Sequence, residues 1–181
     1  MTTEMIYSTI EDMATKVLKD HKITEAPIDP KKVAELIGLS VVEVPHDNDD
    51  LCGLLLKGDK KAIIGVNALH HSNRKRFTIA HEIGHYLLHK NENTFLDHHE
   101  NFDMVKFRKN SSPKTQEERE ANSFAAALLM PAKLLKKNFT SLQGVMSNSQ
   151  EIIQLLAKKY AVSPDAMRYR LINLQLISAH N

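Results

Sequence analysis

The chain is poor in features that would place it outside a cell or in a membrane. It has one cysteine, Cys52, in 181 residues. A lone cysteine forms no internal disulfide, and this fits a reducing cytoplasm. No apolar run approaches the roughly 18–20 residues that span a bilayer. The first twenty residues, MTTEMIYSTIEDMATKVLKD, carry charge throughout, so they read as neither a signal peptide nor an anchor. There is no internal repeat. Nor is there an excess of one charge: the formal net charge is +2, which gives no strong electrostatic pull toward nucleic acid or membrane.

What is present is an ordinary globular composition and clear hydrophobic periodicity. Ile6, Ile10, Met13, Val17 and Leu18 predict an amphipathic helix over 4–20. A short helix from about Asp29, closed by Gly38, precedes a strand near 39–44. Two apolar runs around KGDKK predict a β-hairpin turning at Gly58-Asp59. A long helix is expected over 72–89, a polar loop over 90–114 and another helix ending at Pro131. The last part reads as two helices, the second capped by Ser163 and begun by Pro164. Helices outnumber strands, so the class is α+β. One domain is expected over 1–181: an N-terminal helix (1–25), a catalytic core (26–145) and a helical C-terminal part (146–178).

The long helix carries His81-Glu82-x-x-His85. Histidines four apart project from one helix face, and their nitrogens can meet one zinc ion at about 2.0–2.1 Å. Glu82 reaches the same region. It would take a proton from the attacking water and hand it to the leaving amine. Gly84, costing about 1 kcal/mol against alanine inside a helix, wants a reason; a side chain there could obstruct a strand or the metal. A short motif also arises by chance. Here Ile79, Ile83 and Leu87 repeat every four residues, so the helix belongs to a core, where paired histidines need partners.

A catalytic zinc site needs a third protein ligand. His89, eight residues beyond His81, is about 12 Å along the axis and too far. The metzincin extension would need glycine at 88 and histidine at 91, where this chain has Leu88 and Asn91. His98 and His99 read as solvated loop residues. The helix EEREANSFAAALLMP is the better source. Its apolar face is Ala121, Phe124, Ala125, Leu128 and Leu129, with Glu118 and Glu117 at its edges and Glu120 outside. Glu118 is favoured, with Glu120 and Glu117 as alternatives; its competing use is a capping box from Thr115. Ala121 is small enough for close helix approach. Asn122, one turn from Glu118, could orient a ligating histidine.

RKRFTIAHEIGHYLLH and EEREANSFAAALLMP, in this order and separation, resemble the ImmA/IrrE family of metallopeptidases. APIDPKKVAELIGLSVVEVP, CGLLLKGDKKAIIGVN and LAKKYAVSPDAMRYRLINLQLI match more weakly. The resemblance leaves out chiefly the first 25 residues and 90–114. It implies a zincin-like fold with a small sheet beside the active-site helix. It also implies zinc bound by His81, His85 and Glu118, with Glu82 as general acid/base. His89 and Arg76 match frequent family positions without a derivable role.

Members of such families resemble proteases that cut a helix-turn-helix repressor encoded by a mobile element or toxin–antitoxin-like locus. About 50 residues precede the hairpin, short of a separate domain, so a stand-alone cytoplasmic protease with a repressor as substrate is expected. The rival is a regulatory or toxin-component binding protein that keeps the zinc fold. The C-terminal LAKKYAVSPDAMRYRL looks like a helix-turn-helix, but the weak net charge favours packing over DNA reading. Arg170 is a weaker candidate to face the active site. KAIIGVN reads equally as an interior strand or as an edge strand that takes up substrate by strand addition.

Overall fold

A computed structural model describes residues 3–47, 51–58, 61–89, 94–98, 116–146 and 148–178. The chain order is α1 (Thr3–Asp20), α2 (Pro30–Leu36), β1 (Leu39–Val44), β2 (Leu51–Lys57), β3 (Ala62–Asn67), α3 (Ser72–Leu88), β4 (Thr94–His98), α4 (Gln116–Leu129), α5 (Ala132–Gln143), α6 (Ser149–Tyr160) and α7 (Pro164–Asn173). The α+β class and the helical C-terminal part are as the periodicity indicates.

The local signals act where expected. The Asp29 side chain accepts from the backbone N–H of Lys31 and Lys32, and Pro30 opens α2. Gly38 takes φ 87°, a left-handed conformation that ends α2 and releases the chain into β1. Ser163 caps α7 through the Ala166 N–H. Gly58 donates to the Lys61 carbonyl across the hairpin turn, whose tip, Asp59-Lys60, lies outside the described residues.

The sheet order is β1-β3-β2-β4, with β1 parallel to β3 and the other pairs antiparallel. Leu55 and Ile64 face each other across the β2–β3 pair and are fully buried, while the next pair, Leu56 and Ile63, is exposed on the opposite face. This alternation buries one face of the sheet, against α3. Further layers follow: α3 packs on α4, and α4 on α1. Every residue of α3 from Phe77 to His85 is buried, because the sheet covers one side and α4 the other.

The structure settles one open alternative, corrects one expectation and adds one element. KAIIGVN forms β3, an interior strand flanked by β1 and β2, so it is no free edge; the edges are β1 and β4. The segment 90–114 is not all loop. Thr94–His98 pairs with β2 as β4, a strand that polar composition concealed; the remainder lies outside the described residues, as do His99 and Thr115. The chain after Pro131 had no assigned element, yet it forms α5, which buries Leu135 and Phe139. Proline ends α4 and also supplies the preset backbone from which α5 begins.

Candidate metal centre

The site lies between two buried helices. His81 and His85 come from the middle of α3, and Glu118 from the first turn of α4. The Nε2 atoms of the two histidines lie 2.9 Å apart. The Glu118 carboxylate sits 3.4 Å from Nε2 of His81 and 3.2 Å from Nε2 of His85. A zinc ion with tetrahedral bonds of about 2.0–2.1 Å spaces its donors about 3.3 Å apart. Among the described residues, these three are the group of histidine, cysteine and acidic side chains that could hold a metal ion.

The hydrogen-bond pattern argues for a cation. Nδ1 of His81 lies 3.0 Å from Oδ1 of Asn122. An amide oxygen only accepts, so Nδ1 carries the hydrogen, and the Nε2 of a neutral His81 is a bare lone pair. Burial pushes the His85 imidazole toward its neutral form. The Glu118 hydrogen bond opposes this, and His81 and His89 reinforce it. Burial also pushes the Glu118 carboxyl up, but the hydrogen bonds from His81 and His85 outweigh that and hold it far below its usual range. The set is two imidazole nitrogens and one ionised carboxylate, aimed at one point. Two imidazole nitrogens and a carboxylate oxygen are the donor set that zinc takes in thermolysin-type sites.

Helix approach makes the convergence geometrically available. A Cβ built on Gly84 would lie 3.0 Å from the Cα of Ala121 and 3.1 Å from its carbonyl oxygen. Gly84 thus faces α4, not a strand or the metal as expected, and Gly84 and Ala121 together let the helix backbones meet. Glu82 is fully buried on the sheet side of α3. Its Oε1 would be 3.2 Å from a Cβ at Gly53 on β2, where the Thr78 methyl leaves no room for one. Gly53 therefore lets β2 lie against the carboxylate. Sequence reasoning missed it, although a glycine inside a strand signals close approach.

The remaining candidates fall elsewhere. Glu120 is not in the cluster; its carboxylate accepts from Nε2 of His89 at 3.1 Å. Glu117 is half-buried and also outside the cluster. Arg76, without a derivable role in the sequence, donates to the carbonyls of Ile28 and Ala161, tying α3 to the entry of α2 and the end of α6. Arg170 is buried and grips Glu11 of α1 at 2.7 Å and the Met130 carbonyl at 3.0 Å. It is turned into the α1–α4–α7 junction, not toward the site, and it is committed to packing. Tyr86 rests partly buried against the core.

Residues 34–172 match the family described as the IrrE N-terminal-like domain (Peptidase_M78). The chain belongs to this family. A comparison with curated proteins returns no match. Among solved structures, the fold is similar to a "Mycobacterium tuberculosis transcriptional regulator" with a TM-score of 0.60 and 17% identity, covering 91% of this chain and 55% of that one. The chain thus spans about half the length of that protein, and at this identity the likeness concerns the fold. The family carries the name of a peptidase family, and His81, His85 and Glu118 all lie inside the matched region. No described helix is long and apolar enough to cross a membrane.

Proposed function

We propose that this member of the IrrE N-terminal-like family is a cytoplasmic, zinc-dependent endopeptidase of narrow specificity. Its substrate would be a partner protein, a helix-turn-helix repressor of a mobile element or toxin–antitoxin-like locus. The observation that carries the reading is the meeting of His81, His85 and Glu118 around one point, with Glu82 buried one residue from a ligand. The match of 34–172 to a peptidase family supports it. The resemblance noted above supports the choice of a repressor, and the fold is shared with a protein described as a transcriptional regulator. Residues 1–181 would act as one unit, since α1 packs on α4 although it precedes the matched region.

His81, His85 and Glu118 would hold the ion, and Asn122 would keep His81 in the tautomer that binds it. When bound, zinc supplies Lewis acidity, which brings the pKa of a coordinated water down to about 7. Glu82 then has two tasks. It accepts the proton of the attacking water, and it delivers that proton to the amide nitrogen as the peptide bond breaks. Its burial against β2 fixes the carboxylate and shields it from bulk water. A regulatory binding protein is the second reading. It would have no chemical use for Glu82.

Co-expression with the repressor encoded nearest the gene tests the proposal, with intact mass as the readout. Wild type should give two fragments. Glu82→Gln should keep its zinc and cleave about 10²–10⁴-fold more slowly. Intact repressor co-purifying with both forms would favour the binding reading.

A further inference from the structure

His89 ends α3 and was rejected as a ligand on distance. The structure gives it other contacts. Its Nδ1 lies 3.0 Å from Nδ1 of His85, and its Nε2 lies 3.1 Å from the Glu120 carboxylate. The Glu120 carboxylate is itself held by Gln116 at 2.7 Å. From the sheet, the ammonium of Lys57 donates to the His89 backbone carbonyl. The ring is thus fixed between the end of α3 and the first turns of α4, with its side chain 9% exposed.

Donor and acceptor bookkeeping then runs in one direction. A carboxylate only accepts, so Nε2 of His89 carries the hydrogen. In a neutral ring this leaves Nδ1 of His89 as an acceptor. The atom facing it, Nδ1 of His85, must donate. In a neutral His85 ring, Nε2 is then the nitrogen without a hydrogen, and Nε2 is the atom that faces His81 and Glu118. Asn122 does the same for His81 in one step; His89 and Glu120 do it for His85 in two.

We propose that His89 and Glu120 form a hydrogen-bonded relay that holds the His85 imidazole with its Nε2 lone pair on the metal site. Both are positioning residues, and the inference rests on the metal reading of His81, His85 and Glu118. The relay explains two acidic residues two apart on α4. Glu118 meets the ion directly, and Glu120 supports the opposing histidine from behind.

Two measurements on the full-length chain test it. Long-range proton–nitrogen correlation spectra of the metal-free protein report histidine tautomers, with His85→Gln assigning the signal. His85 should carry its hydrogen on Nδ1 in wild type and lose that preference in His89→Phe. Zinc affinity, read by competition with a chromophoric chelator, should fall about 10–100-fold in His89→Phe. His89→Gln should recover much of the loss, since its amide oxygen can accept from Nδ1 of His85. Glu120→Ala should show the weaker form of both effects; being more exposed, it decides the matter if His89→Phe fails to fold. Unchanged tautomer and affinity in folded variants would overturn the relay while leaving the metal site standing. Wild type that binds no zinc would overturn both.

Discussion

Two regions of the molecule bury polar side chains, and they do so in opposite ways. At the Arg170 junction, a guanidinium meets the Glu11 carboxylate and the Met130 carbonyl, and Glu11 also accepts from the Ala132 N–H. Donors face acceptors, and the charges close on each other. Between α3 and α4, three potential metal ligands converge: two histidine nitrogens 2.9 Å apart with a carboxylate 3.2–3.4 Å from them. The first pairs opposite charges within the chain, and the second gathers the nitrogen and oxygen donors that a divalent cation takes. That contrast, more than burial itself, separates a structural polar cluster from a binding centre.

Substitutions can break the contrast from either side. Arg170→Ala should have the largest effect on stability, about 3–5 kcal/mol, because it strands a partly buried carboxylate. Its zinc affinity should stay near wild type, as thermal denaturation and chelator competition would together show. Zinc should act on the other region alone. At a hundredfold excess over its dissociation constant it should stabilise the wild type by about 2.7 kcal/mol, and a chelator should remove that gain. His85→Ala should show no response to either.

Gly84→Ala touches the close contact of α3 with α4. The new methyl meets backbone, which yields poorly, so a loss of about 1–3 kcal/mol is expected. Weaker zinc binding should accompany it, since Glu118 moves with α4. Retained affinity would mean that helix spacing does not set the site. The smallest effect belongs to the surface pair Lys75–Glu43, which joins α3 to β1 at 2.7 Å. Lys75→Ala should cost less than about 1 kcal/mol. The Lys75 hydrogen bond is the main cause that holds Glu43 below its usual 4.5, against a smaller opposing push from burial. A carboxylate with a depressed folded pKa stabilises above the unfolded value and loses that contribution as pH falls through the folded one. The difference between variant and wild type in denaturant titrations should therefore be full above about 4.5 and shrink at lower pH.

Much of this was legible because the chain states it locally. Asp29-Pro30, Gly38 and Ser163-Pro164 each fix one boundary through their own backbone chemistry. His81 and His85 share a face through helix geometry alone, whatever surrounds them. Glu118 and Asn122 needed the amphipathic phase of α4, which the alanine-rich face makes plain. Other features depended on distant partners. β4 is recognisable only beside β2, since its polar residues carry no period of their own. The interior position of β3 depends on β1 pairing with it in parallel, although β2 lies between them in sequence. Glycine at 53 has meaning only once α3 lies beneath it. Glu120 reads as lying outside the apolar face, yet its side chain is less exposed than that of Glu118, because it packs against His89, and that depends on where α3 ends.

The contact between Gly84 and Ala121 also fixes which carboxylic acid the site can use. A side chain reaching from α4 must cross the gap that remains once the two backbones touch. Glutamate at 118 crosses it. Aspartate is one methylene shorter and could compensate only by drawing the helices together, yet at Gly84 only a hydrogen atom stands between them. The space left empty at one glycine thus sets the length of an acid on another helix, and a designer who wished to shorten that acid would find no slack left to spend.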